Sequence, residues 1–341
     1  MSQIPDFTPV ILLTGFLGSG KTTLLARLLQ DPALADTAVL INEFGEVGLD
    51  HHLLDRIDDT MVMLSSGCLC CTIRGELADA IKSLQSRRAR GEVPPFRRIV
   101  IESTGLADPL PVIATITADP VLKHHFRMGA VVTTVDAANG RDQLAHQPES
   151  VSQAAVADRL VLTKTDLCDP EGIEAVVAAL RVINPDAPLM MARTDTLDAE
   201  AILSERPALT AAIDGFRCVA APSRTGVGSA HGEDVSSVSL VVDGPLDWTL
   251  FGLWLTMLLN RHGRRILRVK GLLNVEGADT PVAIHGVQQL VHVPTHLSAW
   301  PNADRRSLLV FITRGLDPGL IERSLAAFGL LRDPLALSSA G

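Results

Sequence analysis

The sequence predicts an α/β fold with a mostly parallel sheet and helices on both faces, followed by a smaller α+β domain. Short apolar runs alternate with helical stretches in the first two thirds of the chain, and such βα alternation is typical of a parallel sheet. Polar and apolar residues then alternate over 235–242, which favours a small antiparallel sheet with helices on one side. A chain of 341 residues is also too long for one typical core, so two domains are expected.

The first strand is followed by a glycine-rich stretch, Gly-Phe-Leu-Gly-Ser-Gly-Lys-Thr at 15–22. It lies between an apolar run at 10–13 and a Leu-rich helix at 22–30, which is the strand–loop–helix context of a phosphate-binding loop. Backbone N–H groups of such a loop surround a β-phosphate, Lys21 reaches the β- and γ-oxygens, and the Thr22 hydroxyl binds Mg²⁺. We therefore predict a P-loop NTPase whose nucleotide contacts Gly15, Gly18, Ser19, Gly20, Lys21, Thr22 and Thr23.

The other elements of the first domain continue the alternation. Strands are predicted at 38–41, 61–64, 98–102, 129–135, 160–163 and 187–190, and helices at 73–88, 111–117 and 170–183. Because ligands bind at the carboxyl ends of parallel strands, the residues that follow each strand are the candidate site residues.

An acidic residue and a glycine follow the strand at 98–102, in the stretch Glu-Ser-Thr-Gly at 102–105. In phosphate-hydrolysing switch proteins, such a carboxylate holds Mg²⁺ and the glycine N–H senses the γ-phosphate. The alternative is an ordinary strand-to-loop turn, but a position one strand away from the phosphate loop favours function. The candidate catalytic residues are therefore Lys21, Glu102 and Gly105.

The choice of base is predicted from Thr-Lys-Thr-Asp at 163–166. GTPases usually carry Asn-Lys-x-Asp here, in which the aspartate accepts hydrogen bonds from guanine N1–H and the N2 amine while the lysine stem packs on the ring. Adenine has an acceptor at N1 and no amine at C2, so it would leave the carboxylate unpaired. Thr163, Lys164 and Asp166 are therefore the candidate base ligands, and GTP is favoured over ATP.

Two further strand ends carry unusual residues. Three cysteines lie within four positions after the strand at 61–64, and an acidic, glycine-interrupted loop at 42–50 follows another strand. Thiolates are soft ligands that favour Zn²⁺ or Cu(I), and a carboxylate, histidine or water could complete a tetrahedral site. A redox pair, buried inert thiols and a solvated acidic turn are the alternatives. The candidate metal ligands are Cys68, Cys70, Cys71, Glu43 and Glu46, in addition to Thr22 for Mg²⁺.

Composition argues against several classes of function. The formal charge of −9 is unlike that of nucleic-acid-binding proteins, which usually have a basic face. No apolar run reaches the roughly 18 residues of a membrane helix, and the N-terminal residues lack the pattern of a signal peptide. Five cysteines, three of them clustered, do not resemble a secreted disulfide framework. We expect a cytoplasmic protein with no nucleic-acid partner and no membrane partner.

The chain resembles the CobW-type GTPases, which are related to the GTPases that mature hydrogenase and urease. The Cys-x-Cys-Cys signature is highly specific to that family. Five motifs occur in the family's order, at 15–22, 42–46, 67–71, 102–105 and 163–166. The resemblance covers nearly the whole chain and implies a GTPase domain at 1–220, a linker at 221–232, and a CobW C-terminal α+β domain at 233–341.

The resemblance also implies the cofactors and partners. GTP and Mg²⁺ would be bound by the first domain, the cysteines would bind Zn²⁺ (or Co²⁺ or Ni²⁺), and GTP hydrolysis would control metal delivery to a client metalloprotein of unknown identity. A homodimer is a further expectation. The alternative is a GTP-dependent enzyme-activation or cofactor-assembly regulator, related to cobalamin synthesis, whose thiols are structural. Many family members carry a histidine-rich tract near the domain junction; here only His231 stands there, so we assign no histidine as a ligand.

Overall fold

The computed structural model describes residues 7–44, 61–66, 72–193, 198–204 and 235–330. The chain divides into two compact units, Met1–Ala178 with Ala187–Arg206, and Ala179–Asp186 with Pro207–Gly341. The predicted linker at 221–232 lies outside the described residues.

The first unit is built on a seven-stranded sheet in which all neighbouring strands pair in parallel. The strand order is β3-β2-β4-β1-β5-β6-β7. The strands are β1 Thr8–Gly15, β2 Thr37–Phe44, β3 Met61–Ser66, β4 Arg98–Glu102, β5 Phe126–Asp136, β6 Arg159–Thr163 and β7 Leu189–Met191. This confirms the predicted parallel sheet.

Most helices of the parallel-sheet unit lie in the connections between its strands, and the last one follows β7. They are α1 Lys21–Leu28, α2 Thr72–Ala89, α3 Leu110–Ala118, α4 Gly140–His146, α5 Pro148–Val156, α6 Pro170–Ile183 and α7 Ala199–Leu203. Short 3₁₀ turns occupy Pro32–Leu34, Leu122–His124 and Thr165–Leu167. The helices α4, α5 and α7 are not among the helices predicted from the sequence, because they have only seven, nine and five residues and show no clear helical period of apolar residues.

Both faces of the sheet are covered, as predicted. Alternate residues of β1 point to opposite faces. Ile11 and Leu13 join a cluster with buried leucines of α1 and with Ile202 of α7. Val10 and Leu12 are also fully buried, and α3 and α5 contact β1 and β5. A parallel strand that is buried on both faces needs a continuous apolar sequence, and β1 supplies one.

Two predicted strands differ from the observed ones in their limits, one by three residues at its end and the other by one or two residues. β2 extends to Phe44, so Asn42 and Glu43 lie in a strand and not in the loop predicted from residue 42 onward. β2 pairs with β3 up to the pair Phe44 and Ser66, and this pairing explains the longer strand. The hydrogen bonds between the two strands stabilise residues that the local sequence alone does not predict as a strand. The strand predicted at 187–190 is instead Leu189–Met191.

The second unit has a six-stranded sheet of order β11-β10-β9-β13-β8, with β12 also paired to β10, and its pairings are antiparallel. Its strands are β8 Val235–Val242, β9 Ile266–Leu273, β10 Val282–Val287, β11 Leu290–Val291, β12 Thr295–His296 and β13 Ser307–Arg314. Its helices are α8 Trp248–His262 and α9 Pro318–Ala327.

The two helices cover one face of this second sheet. Phe251 and Trp254 of α8 and Leu325 of α9 share a buried cluster with Val269 and Phe311 of the strands. Each helix begins at an aspartate whose carboxylate accepts a backbone N–H of the first turn. None of the helices in the described parts of the chain is long and apolar enough to cross a membrane.

Candidate functional site

The residues predicted to contact the nucleotide lie at the carboxyl edge of the parallel sheet. β4, β1, β5 and β6 are consecutive in the sheet, and their last residues are Glu102, Gly15, Asp136 and Thr163. The glycine-rich loop follows β1 and leads directly into α1. The carboxyl ends of adjacent strands therefore bring the phosphate loop, an acidic residue and the base motif to one edge.

The conformation of the loop explains its glycines. Gly15 has φ 144°, and a Cβ placed there would lie 2.3 Å from Thr134 Oγ1 and 2.7 Å from Ser19 Oγ. Gly20 has φ 84° and immediately precedes the first residue of α1. Both positions are unfavourable for L side chains. The backbone N–H groups of the first turn of α1 are thus presented at the loop, as phosphate binding requires.

Lys21 is buried at the start of α1, and its side chain turns back across the loop. Its Nζ donates to the carbonyl oxygens of Gly15 at 3.0 Å and Phe16 at 3.2 Å. Ser19 is also buried, with its Oγ 2.7 Å from Thr134 Oγ1 of β5. The contacts of Lys21 and Ser19 fix the loop around the lysine ammonium, which is the group that would meet a phosphate.

Thr22 and Glu102 are brought together although they are far apart in the sequence. The Thr22 hydroxyl donates to Glu102 Oε1 at 2.6 Å, and Glu102 is 5% exposed. Mg²⁺ prefers oxygen ligands and is commonly held by one or two protein oxygens together with substrate phosphates. A hydroxyl and a carboxylate at hydrogen-bond distance beside the phosphate loop fit that ion.

Gly105 lies against the phosphate loop. A Cβ on Gly105 would lie 2.6 Å from both the N and the Cα of Leu17, so only glycine permits this approach. The same segment is tied to β1 by Ser103, whose N–H donates to Leu13 O at 2.9 Å and whose hydroxyl donates to Thr14 Oγ1 at 2.9 Å. The loop that follows β4 is therefore held against the phosphate loop.

A cavity of about 460 Å³ opens between α1 and the ends of β6 and β7. Its lining residues are Gly20, Thr23, Leu24, Arg27, Thr163, Lys164, Thr165, Asp166, Ala192 and Arg193. The three predicted base ligands thus share one cavity with residues of the phosphate loop and α1. Its walls are polar on the side of the base motif and include the apolar Leu24, which suits a purine ring edged by donors and acceptors.

Thr163 takes the place of the asparagine that is usual in the base motif. Its hydroxyl lies 2.7 Å from Ser19 O, to which it donates, and 3.2 Å from Val135 O. Thr163 is buried, and a Cβ on Gly20 would meet it at 3.6 Å. The residue therefore connects the end of β6 to the phosphate loop and sets the spacing between the phosphate and base regions.

Asp136 fixes Lys164 on the cavity wall. Lys164 has a left-handed backbone with φ 54°, and its Nζ donates to Asp136 Oδ2 at 2.8 Å. Burial of the Asp136 carboxylate acts to raise its pKa. Hydrogen bonds from the Asn139 side chain, from Lys164 and from the backbone N–H groups at 138 and 139 outweigh burial, so the pKa lies below its ordinary value. Asp136 is therefore an anion that orients the lysine.

Arg27 closes the opposite side of the cavity. Its guanidinium donates to the carbonyl oxygens of Ala192 at 3.3 Å and Arg193 at 3.2 Å, which joins α1 to the segment after β7. Arg27, Asp136 and Gln153, which contacts the Gly105 loop, escape prediction from the sequence. Only Asp136 carries a local signal, because it directly follows the strand predicted at 129–135, and the residues after strands are where ligands bind.

The predicted metal ligands are not described in atomic detail. Cys68, Cys70, Cys71 and Glu46 lie outside the described residues, and of Glu43 only the backbone in β2 is described. In the ladder, Glu43 pairs with Ser65 of β3, and Ile41 of β2 pairs with Glu102 of β4. Within the described ranges, no group of three or more His, Cys, Asp and Glu side chains could hold a metal ion.

Comparison with known families and proteins gives consistent matches. The family described as "CobW/HypB/UreG, nucleotide-binding domain" matches residues 9–191, and the family described as "Cobalamin synthesis protein cobW C-terminal domain" matches residues 235–329. The chain is similar to "Zinc chaperone YjiA" of Escherichia coli (strain K12), with 33% identity over 327 residues that cover 95% of this chain and 98% of that protein.

A second relative is "Zinc-regulated GTPase metalloprotein activator 1" of Schizosaccharomyces pombe, with 36% identity over 186 residues. That match covers 52% of this chain and 44% of the fission yeast protein, so the similarity spans less than half of that relative. Among solved structures, zinc-bound YjiA GTPase from E. coli superposes with a TM-score of 0.69 at 28% identity, covering 97% of this chain and 100% of that one. A zinc-bound triple mutant of the YjiA GTPase gives a TM-score of 0.71 at the same coverage.

Proposed function

The chain belongs to the CobW/HypB/UreG family of P-loop GTPases, and from that premise we propose that it is a metallochaperone that hydrolyses GTP to control zinc transfer to a client metalloprotein. The observation that carries the GTPase part is the contact between Thr22 and Glu102 at 2.6 Å, beside a loop built to hold phosphates. The same edge of the sheet carries the cavity that would take the base.

Hydrolysis is assigned to the residues around the phosphate loop. Thr22 and Glu102 would hold Mg²⁺, which when bound neutralises charge on the β- and γ-phosphates. Lys21 offers a second positive charge to the same oxygens, and the N–H of Gly105 stands where it could donate to the γ-phosphate. Because phosphoryl transfer depends mainly on positioning and charge stabilisation, these fixed groups would supply the charge stabilisation that GTP hydrolysis needs.

Guanine is assigned to the cavity between α1 and the base motif. Asp166 is exposed on its wall and can accept from N1–H and the N2 amine of guanine. Lys164, held by Asp136, offers its aliphatic stem to the ring. Adenine would leave the Asp166 carboxylate without those donors, so the cavity favours GTP over ATP.

Zinc is the proposed cargo, and the proposed ligands are Cys68, Cys70 and Cys71 with Glu43 or Glu46. Support comes from the relative described as a zinc chaperone and from zinc-bound structures of that relative. The cysteine loop begins directly after β3, whose neighbour β2 also pairs with β4 at Glu102. Glu43 of β2 would thus stand on the strand next to Glu102, and the cysteines would follow the strand on the other side of β2. Glu43 is therefore the proposed link between the nucleotide and the metal.

The GTPase assignment is tested by steady-state turnover with Mg²⁺. We expect the parent protein to hydrolyse GTP in preference to ATP, and Glu102→Gln to lower kcat by about 100-fold, since a neutral amide holds a divalent cation poorly. Glu171→Gln, at an exposed position on α6, is the matched control and should retain parental turnover. Parental turnover in Glu102→Gln would contradict the assignment.

A further inference from the structure

The loop that follows β4 is held by one buried side chain from another helix. Gln153 of α5 is fully buried, and its Nε2 donates to Gly105 O and to Ala107 O, both at 3.1 Å. We propose that Gln153 is a positioning residue that holds Gly105 beside the phosphate loop and thereby sets the preference for guanosine triphosphate over diphosphate. The inference rests on the proposed function, in which Gly105 meets the γ-phosphate.

The orientation of the Gln153 amide is determined by its partners. A carboxamide nitrogen has two N–H donors, and carbonyl oxygens only accept, so both donors must face the loop. The two bonds clamp the backbone on either side of Leu106. With both donors used, the loop cannot move away from α5 without breaking one buried and one partly buried hydrogen bond.

The other end of the clamp is anchored to the sheet. The Thr133 hydroxyl of β5 donates to the backbone carbonyl of Gln153 at 2.9 Å. β5 pairs with β1, the strand that leads into the phosphate loop. Gln153 therefore positions the Gly105 loop relative to the strands that carry the phosphate loop, and not merely relative to a surface helix.

The position of the Gly105 loop predicts which nucleotide should lose affinity when Gln153 is replaced. Gly105 lies in van der Waals contact with the backbone of Leu17, so the clamp stabilises the close position. Only a triphosphate carries the γ-phosphate that this position serves. Loss of the clamp should therefore weaken binding of GTP and leave binding of GDP unchanged.

Within the described part of the chain, the amide oxygen of Gln153 makes no hydrogen bond, so only the two N–H donors of this side chain hold the loop. Gln153 Oε1 is buried and has no hydrogen-bond partner among the described residues. Burying a polar atom without a partner opposes folding. An apolar side chain of equal length would remove the unpaired oxygen, but it would also leave Gly105 O and Ala107 O without these donors, so what the glutamine contributes is the pair of bonds that hold the loop.

The test uses the full chain and compares two ligands, a non-hydrolysable GTP analogue and GDP, each titrated with Mg²⁺. Gln153→Met keeps the length and helix propensity of the side chain and removes both donors. We expect its Kd for the analogue to rise about tenfold, as for the loss of two modest hydrogen bonds, with the Kd for GDP unchanged. Gln147→Met, at the exposed start of the same helix, is the matched control and should keep the parental ratio of the two Kd values.

The neutral Gln153→Asn serves if the methionine variant does not fold, because its amide is one methylene shorter and its donors are withdrawn from the two carbonyls. It should reduce the analogue's affinity selectively in the same way. A parental ratio in a folded Gln153 variant, or equal losses for both ligands, would overturn the inference. A parent protein that binds neither guanine nucleotide would instead overturn the proposed function, so the two failures are distinguishable.

Discussion

Lys164 Nζ lies 2.8 Å from Oδ2 of Asp136, a carboxylate whose side chain is only 2% exposed at the end of the neighbouring strand. Asp136 Oδ1 accepts the backbone N–H groups of Ala138 at 2.8 Å and Asn139 at 3.2 Å. The lysine of the base motif is thus positioned by a residue from a different strand. Its side chain is partly exposed, so the pair contributes less to stability than its short distance suggests.

The Asp136–Lys164 pair should contribute to GTP binding. Asp136→Asn should weaken GTP binding by about tenfold, because the Lys164 stem is no longer held against the base and a charge-assisted hydrogen bond is lost. The kcat at saturating GTP should change little, since Asp136 is on the base side of the site. Calorimetric titration and turnover measure the two quantities. A variant with parental affinity would show that Lys164 does not need Asp136 to bind the base.

Asp136 should also contribute a pH-dependent part of the folding stability. Its pKa in the folded chain is lowered, so the stabilisation is fully present above the unfolded pKa of about 3.9 and is lost as pH falls through the lower folded value. The difference in the free energy of unfolding between the parent and Asp136→Asn should therefore shrink below about pH 4. Asp79→Asn, at an exposed helix position, is the control, and an equal pH dependence in both variants would contradict the prediction.

Lys21→Ala should lower GTP affinity by about 10- to 100-fold, because the β- and γ-phosphate oxygens lose a fixed cation. The fold should persist, although the loop also loses the bonds from Nζ to Gly15 O and Phe16 O. Lys123→Ala, at an exposed position, is the matched control. Binding to Lys21→Ala within about twofold of the parent by calorimetry would show that the loop does not hold phosphates.

Asp166→Asn should change the choice of base. The amide cannot accept as a carboxylate does from guanine N1–H and N2, but it can donate to the C2 carbonyl of xanthine. We expect weaker GTP binding and a gain for xanthosine triphosphate, measured by competition. The exposed position of Asp166 means that folding should be unaffected, and Asp169→Asn nearby is the control. An unchanged ratio of GTP to ATP affinity would place the base elsewhere.

The sequence predicts those parts of the site that depend on local pattern. Gly15, Lys21 and Thr22 are identified because a strand, a glycine-rich turn and a helix follow one another along the chain. The strand at 98–102 is identified because it is short, apolar and bounded by polar residues, and its predicted limits match β4. In both cases neighbouring residues carry the information.

The contacts that position these residues depend on the packed fold and have no local signal. Gln153 meets Gly105 across 48 positions, and Arg27 meets Ala192 across 165. The extension of β2 through Glu43 depends on its partner β3, so an acidic residue predicted in a loop is part of a strand. Such pairings are set by tertiary packing, which overrides local propensity.

Coupling between nucleotide and zinc binding is tested by the zinc affinity of the full chain, measured under anaerobic conditions. The zinc affinity is measured in three nucleotide states: with a GTP analogue, with GDP and without nucleotide. The proteins are the parent, Cys70→Ser, and Cys168→Ser as the matched cysteine control. Zinc affinity should differ at least fivefold between nucleotide states, within the usual range of about 5- to 150-fold. By linkage, zinc should shift the relative affinities of the two nucleotides by the same factor. Cys70→Ser should lose the site, while Cys168→Ser should keep it. Equal zinc affinity in all three nucleotide states of the parent would contradict the account.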